Sequence, residues 1–218
     1  MKDVSYLGSI GKTEAKDLLL SLIALTVAFS IVGGRRLPEA EVFLISAIGV
    51  GTGFLLHEMA HKYAAQRYGY WAEYRANFTG LIMVVILAFA GFIFAAPGAV
   101  MIRKISAAPD VWQDPASHEL LEEKAKREEL VISLAGPMTN IVLVFFFFLL
   151  MATGTTKVGL GASAASFALF INLSLAAFNL LPFGPLDGKK VFDSNRMVWA
   201  IVAIPTILAT LSIYLRLW

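Results

Sequence analysis

Residues 130–152 read LVISLAGPMTNIVLVFFFFLLMA, an apolar run without a charged side chain. A helix crosses the hydrocarbon core of a bilayer with about 20 mostly apolar residues. Five further apolar blocks lie on either side of this run, at about 18–34, 42–61, 79–102, 163–183 and 197–215. The sequence therefore predicts an all-α polytopic membrane protein with about six apolar segments.

The composition supports the membrane class. Hydrophobic residues make up 58% of the 218 residues and charged residues 16%, against about 45–50% and about 25% in soluble domains. The formal net charge of +2 is spread over short loops, which gives no sign of a nucleic-acid-binding surface. We predict that residues 1–218 form a single integral membrane domain in contact with the lipid bilayer.

The block at 79–102 leaves two topologies open. It is long enough for one crossing, but Gly80, Gly91, Pro97 and Gly98 interrupt it. In the alternative, it enters the membrane and returns as a re-entrant or hairpin region between the second and fourth blocks. Irregular backbone of that kind survives at membrane depth where protein or a water-filled cavity covers it. After this block comes a polar stretch at about 103–129, predicted to be a cytoplasmic connector with a charged helix from Ser117 onward.

The distribution of Lys and Arg predicts the orientation. Basic residues precede the first block and follow the second and fifth, at Lys62, Lys189 and Lys190 among others. These place the amino terminus and the loops 62–78 and 184–196 in the cytoplasm, although Arg35 and Arg36 oppose this assignment. The two loops share one face if 79–102 enters and returns, so we favour that topology.

The sequence His57-Glu58-Met59-Ala60-His61 lies at the end of the second block. On a helix, residues four apart share a face, so both imidazoles can bind one zinc ion, and the intervening Glu can act as a base. An ionisable group inside an apolar span is expensive and usually functional. The chain has no cysteine, so thiolate metal sites are excluded and nitrogen and oxygen ligands are required.

A hydrolytic zinc site normally has three protein ligands and an open position. His118 is one candidate for the third ligand, but it lies in the polar connector. Asp187 is the better candidate, because Pro182, Gly184 and Pro185 must break the fifth helix just before it. A broken helix at the membrane face can turn the carboxylate toward the interior.

A polar residue interrupts the fourth block within Ala135-Gly136-Pro137-Met138-Thr139-Asn140. Asn140 needs a hydrogen-bonding partner in apolar surroundings. It could hold a substrate backbone or bridge two helices, and the sequence leaves both alternatives open.

Three separated motifs make the chain resemble the site-2 protease family of intramembrane zinc metalloproteases. Pro97-Gly98-Ala99-Val100 also looks like that family's membrane-associated hairpin, and the likeness spans about 42–190, the implied catalytic core. The three motifs are His57-Glu58-x-x-His61, Ala135-Gly136-Pro137-x-x-Asn140, and Asn179-x-x-Pro182 leading to Leu186-Asp187-Gly188.

The resemblance implies roles for individual residues. His57, His61 and Asp187 would bind one zinc ion, and Glu58 would be the general base. Asn140 and Asn179 would help to position an extended substrate.

The resemblance also implies a zinc metalloendopeptidase that performs regulated intramembrane proteolysis on transmembrane protein substrates. Two alternatives stand beside it. One is a metal-binding membrane protein such as a transporter, and the other is a scaffold that binds transmembrane helices without cleaving them.

Overall fold

The computed structural model describes residues 8–32, 39–93, 97–104, 115–155 and 159–215. Within these ranges the protein is mostly helical, with one two-stranded sheet. The elements are α1 (Lys12–Ile31), α2 (Ala40–Val50), a π-helical turn (Gly51–Leu55), α3 (Leu56–Arg67), β1 (Tyr70–Ala76), α4 (Phe78–Phe89), β2 (Gly98–Lys104), α5 (Pro115–Ala152), α6 (Leu160–Asn179), α7 (Asp187–Ser194) and α8 (Arg196–Tyr214).

Four helical stretches in the described residues are long and apolar enough to cross a membrane. This confirms the helical membrane class, but not the predicted number of about six segments. Helix α1, which contains most of the first block, begins with charged residues that precede this block, and the third block is divided between the short helix α4 and a strand. The four stretches are Ala40–Arg67, Glu119–Ala152, Leu160–Asn179 and Arg196–Tyr214.

The stretch between β1 and β2 leaves the sheet and comes back to it. The two strands pair antiparallel from Tyr70↔Lys104 to Ala76↔Gly98. The chain therefore departs at Ala76, forms α4, and returns at Gly98 to the end of the sheet from which it left. Whether this excursion enters the bilayer from one face stays a prediction.

A buried cluster packs the hairpin, which consists of β1, β2 and the intervening α4, against α1 and α3. Tyr74 is fully buried, its ring meets that of Phe54 edge-on at 5.6 Å, and its hydroxyl hydrogen-bonds with that of Ser21 at 2.9 Å. Leu25 of α1 and Val84 of α4 complete this core. The hairpin is consequently packed into the helices and is not a loose loop.

Gly98 starts β2 where no side chain fits. Its φ is +156°, and a Cβ there would lie 2.2 Å from the carbonyl oxygen of Arg75 and 2.4 Å from the hydroxyl of Tyr74. Glycine is thus required both by the backbone conformation and by the space.

The part of the polar connector from Pro115 onward and the fourth apolar block form one helix. α5 begins at Pro115, two residues before the predicted Ser cap, and continues without interruption to Ala152. Proline suits the first helical turn because its missing N–H would have no helical partner there. Residues 103 and 104 of the predicted connector belong to β2, while 105–114, like Arg35 and Arg36, lie outside the described residues.

We expect Gly98→Ala to lower the thermal unfolding midpoint of the detergent-solubilised protein. The added Cβ forces the β1–β2 backbones apart, at a cost on the order of 1–3 kcal/mol. Gly11→Ala is the matched control, because a Cβ at Gly11 meets nothing within 4 Å. Equal midpoints for the two variants would contradict the steric requirement at Gly98.

Candidate metal centre and active site

His57 and His61 lie one turn apart on the same face of α3, with ring centroids 4.7 Å apart. Both side chains are buried, and their Nε2 atoms approach to 3.1 Å. The π-helical turn directly precedes α3, and it carries the helix from its contact with α6 to its contact with α5. The helical spacing predicted from the sequence is therefore present, and both rings point to one spot.

Asp187 reaches the same spot from the first turn of α7. Its Oδ2 lies 2.9 Å from Nε2 of His61 and 3.5 Å from Nε2 of His57. Burial by itself would raise the pKa of Asp187, but the two neighbouring imidazoles outweigh it and hold the pKa of this carboxyl below its usual range. The structure thus brings together all three residues that the sequence suggested as ligands.

The broken end of α6 allows this approach. Gly184 adopts a φ of +63° between the two prolines, and Gly188 lies against the last turn of α6. A Cβ at Gly188 would come within 2.2 Å of the carbonyl oxygen of Leu180. That oxygen also accepts a hydrogen bond of 2.8 Å from the indole N–H of Trp199 in α8. The contact fixes α7, and with it Asp187, against α6.

Hydrogen bonds at the far side of each ring fix the histidine tautomers. Nδ1 of His61 lies 2.7 Å from the carbonyl oxygen of Ile132, which can only accept. Nδ1 of His57 lies 2.8 Å from Oδ1 of Asn140. The amide nitrogen of Asn140 donates to the Gly53 carbonyl at 3.1 Å, so its oxygen must face the ring. In the neutral imidazoles both Nδ1 atoms therefore carry the hydrogen, and both Nε2 atoms present lone pairs.

Three acceptor atoms then face one another without a hydrogen between them: two imidazole nitrogens and one carboxylate oxygen. Such a group is suited to binding a cation. In a tetrahedral zinc site with ligand bonds of about 2.0–2.1 Å, neighbouring ligand atoms are about 3.3 Å apart. The distances observed among the two Nε2 atoms and Oδ2 of Asp187 are 2.9, 3.1 and 3.5 Å, close to this value. His57, His61 and Asp187 therefore form a potential metal site that fits a zinc ion.

Gly136 in α5 forms the wall of this site. A Cβ on Gly136 would lie 2.3 Å from Nε2 of His61 and 2.6 Å from Nε2 of His57. It would thus occupy the position toward which the ligand atoms converge. The absence of a side chain at Gly136 thus lets α5 lie directly against the imidazoles of the two candidate ligands.

Asn140 is fully buried, and both polar groups of its side chain are bonded to α3 and the π-helical turn. It bridges two helices, which is one of the two alternatives left open by the sequence. Asn179 lies elsewhere, at the end of α6, where it lines the cavity beside the metal site and donates to the Leu175 carbonyl at 3.0 Å. Substrate contact by either residue stays a prediction.

A cavity of about 420 Å³ opens beside the three ligand candidates. Glu58 lines it next to His57, and the backbone N–H of Val100 in β2 donates to the Glu58 carboxylate. The wall is otherwise mostly apolar, as expected of a ligand-binding cavity with a few placed polar groups. Its apolar residues include Leu25 and Phe29 of α1, and Phe170, Ile171, Leu175 and Phe178 of α6.

One hydrogen-bonding partner of the candidate ligands could not be recognised from the sequence. The acceptor for His61 is a backbone carbonyl, that of Ile132, and residue type does not reveal it. Pro137 is an indirect hint, because a proline within a helix removes one backbone N–H and loosens the preceding turn. The carbonyl that loses its helical partner in this way is that of Ser133, which directly follows Ile132.

Comparison with known proteins agrees with this geometry. The sequence model of peptidase family M50 matches residues 45–159. A protein named “Putative zinc metalloprotease” from Methanocaldococcus jannaschii is 40% identical over 209 residues, which cover 94% of this chain and 95% of that protein. A second protein named “Putative zinc metalloprotease”, from Bacillus subtilis, is 29% identical over 159 residues, or 64% of each chain. No solved structure matches significantly.

The family match covers more than half of the chain, and the archaeal relative aligns over nearly its whole length. The resemblance seen in the motifs is thereby confirmed, and the metal-binding geometry agrees with the zinc named in both relatives. The protein is a member of peptidase family M50, the site-2 protease family.

Proposed function

We propose that this protein is an intramembrane zinc metalloprotease that hydrolyses peptide bonds in or near transmembrane segments of membrane-anchored proteins. One observation carries the proposal: two buried imidazoles and a carboxylate converge at zinc-ligand spacing beside Glu58, in a cavity lined by apolar helices. In this proposal His57, His61 and Asp187 hold one zinc ion. In the described part of the chain, four helical stretches are long and apolar enough to span the bilayer, and residues of each of them line this cavity.

Glu58 is the general base in this mechanism. A bound zinc ion supplies Lewis acidity, which polarises the scissile carbonyl and makes water a better nucleophile near neutral pH. The Glu58 carboxylate takes a proton from the attacking water and passes it to the leaving amine. The Val100 amide holds this carboxylate in the cavity, so the base is placed before the substrate arrives.

The substrate binds in extended form along β2. A helical substrate hides its carbonyls in its own hydrogen bonds, so it must unwind before cleavage. The unpaired edge of a strand offers hydrogen bonds to an unwound segment. Gly98, Val100 and Ile102 of β2 line the cavity, and a segment added there would pass Glu58 and the metal ligands. Asn179 contributes a further polar contact.

The active site faces the cytoplasm in this proposal. α3 ends in the basic residue Arg67, and α7 carries Lys189 and Lys190 two and three residues after Asp187. The positive-inside rule places such ends on the cytoplasmic side. The excursion through α4 then enters the membrane from that side and returns to it, which keeps α3 and α7 at one face.

Glu58→Gln should abolish cleavage of a reporter transmembrane substrate while zinc content and folding are retained. The amide has the size of the carboxylate but cannot accept the proton, so we expect the rate to fall by at least about 100-fold. Purified protein in detergent is assayed for cleavage and, in parallel, for zinc. Glu119→Gln, in the exposed first half of α5, is the control, and undiminished cleavage by Glu58→Gln would rule out this base.

Asp187→Ala should lower the zinc stoichiometry of the purified protein. The change removes one of three ligands and leaves the two imidazoles, and three protein ligands are the norm for a catalytic zinc site. Metal analysis measures the effect, with Asp193→Ala on the same helix as the control, since Asp193 pairs with Lys189 away from the site. If Asp187→Ala retained its full complement of zinc, another residue would have to be the third ligand.

Gly136→Ala should also reduce zinc binding, although it alters no ligand. The new methyl group would occupy the space beside Nε2 of both histidines, so metal content and cleavage are expected to fall together. Gly51→Ala is the control in another spanning helix, because a Cβ there meets just one side-chain atom, at 4.0 Å. Normal metal content in Gly136→Ala would contradict the steric assignment.

A further inference from the structure

A buried ion pair links α1 to the helix that carries the histidines. Nζ of Lys62 lies 2.5 Å from Oε2 of Glu14, and the two side chains are 2% and 0% exposed. Lys62 also donates to the Ser9 carbonyl at 2.6 Å. Lys62 directly follows His61, so the pair fixes the first turn of α1 next to the metal-binding face of α3.

The second carboxylate oxygen of Glu14 holds the hairpin. Its Oε1 accepts a hydrogen bond of 3.0 Å from the backbone N–H of Tyr74 in β1. One turn further along α1, Oδ2 of Asp17 accepts from the backbone N–H of Ala76 at 3.3 Å. Two carboxylates of α1 therefore occupy positions at which another strand would otherwise pair with β1.

This arrangement decides which edge of the sheet is open. Backbone groups of successive residues in a strand point to opposite edges, so Ala72, Tyr74 and Ala76 direct theirs away from β2. The Ala72 carbonyl meets the side chain of Gln66 at 3.4 Å. Side chains thus cover the β1 edge, and the opposite edge, formed by β2, faces the cavity and Glu58.

Stability alone does not account for the Glu14–Lys62 pair. Taking two charges out of water costs several kcal/mol per ion, and replacing such a pair by apolar residues of similar volume is often neutral or stabilising. What apolar residues could not supply is the acceptor for the Tyr74 amide. The geometric contribution of Glu14 is therefore separable from its charge.

We propose that Glu14 and Lys62 are a positioning pair that sets the β1–β2 hairpin against α3, so that the edge of β2 that does not pair with β1 lies at substrate distance from Glu58 and the metal ligands. Lys62 holds the Glu14 carboxylate in place, and Glu14 holds Tyr74. Neither residue lines the cavity, so both act through the hairpin. The inference rests on the proposed protease function and names the part of the fold that prepares the site for an extended substrate.

Two double variants separate positioning from stability. E14Q/K62M removes both charges but keeps an oxygen that can accept from the Tyr74 amide, whereas E14L/K62M removes that acceptor as well. Both are purified in detergent and measured for zinc content, thermal midpoint, and kcat and KM on the reporter substrate. We expect both to bind zinc and unfold near the wild-type temperature. For E14L/K62M we expect kcat/KM to fall about tenfold, mainly through a higher KM, which corresponds to the free energy of one hydrogen bond. For E14Q/K62M we expect kcat/KM to be closer to the wild-type value.

Equal kcat/KM for the two zinc-loaded double variants would overturn the inference. If E14L/K62M does not fold, the same comparison is made at Asp17. Asp17→Leu removes the acceptor of the Ala76 amide and Asp17→Asn retains one, and equal KM values for these two would also overturn it. Wild type with a chelator and Glu58→Gln are run alongside. Cleavage that persists in either one refutes the proposed protease function itself, independently of the comparison between variants.

Discussion

Two hydrogen bonds from imidazole Nδ1 atoms orient the histidines of the candidate metal site. Because Ile132 and Asn140 can only accept from the rings, His61 and His57 must present bare Nε2 atoms at the same point. Both acceptors belong to α5, so the packing of α5 on α3 sets the tautomers as well as the position of the rings. Partners behind the metal ligands commonly orient them in this way. Gly136 lets the two helices come close enough.

The apolar surroundings make each buried polar group consequential. An unpartnered polar atom in such surroundings is costly, and most of those described here have partners: Asn140 bonds His57 and Gly53, Ser21 bonds Tyr74, and Glu14 bonds Lys62. These contacts connect α1, the hairpin, α3 and α5 into one unit. Two buried side-chain oxygens, those of Asn172 and Ser174 in α6, have no partner among the described residues.

The sequence predicted the metal site better than the scaffold. Helical periodicity alone places His57 and His61 on one face, and the proline-rich break after α6 correctly suggested that Asp187 turns inward. The backbone carbonyl of Ile132 and the buried role of Glu14 were not predictable, because both depend on tertiary contacts between distant segments. The number of about six apolar segments is not confirmed, since apolar composition does not distinguish a crossing helix from α4, a short helix followed by a strand.

The π-helical turn at Gly51–Leu55 has a consequence for how this helix can vary. An α-helix advances by about 100° per residue, and a π turn absorbs one additional residue. Before the turn, Gly49 fits against Phe167 of α6, and beyond it His57 meets α5. The extra residue therefore allows one continuous helix to pack against both α6 and α5, which lie in different directions from it. If the turn became regular α-helix with the same number of residues, the imidazoles would rotate by about 100° relative to Gly49 and leave their partners in α5, so the π turn itself is part of what orients the two rings.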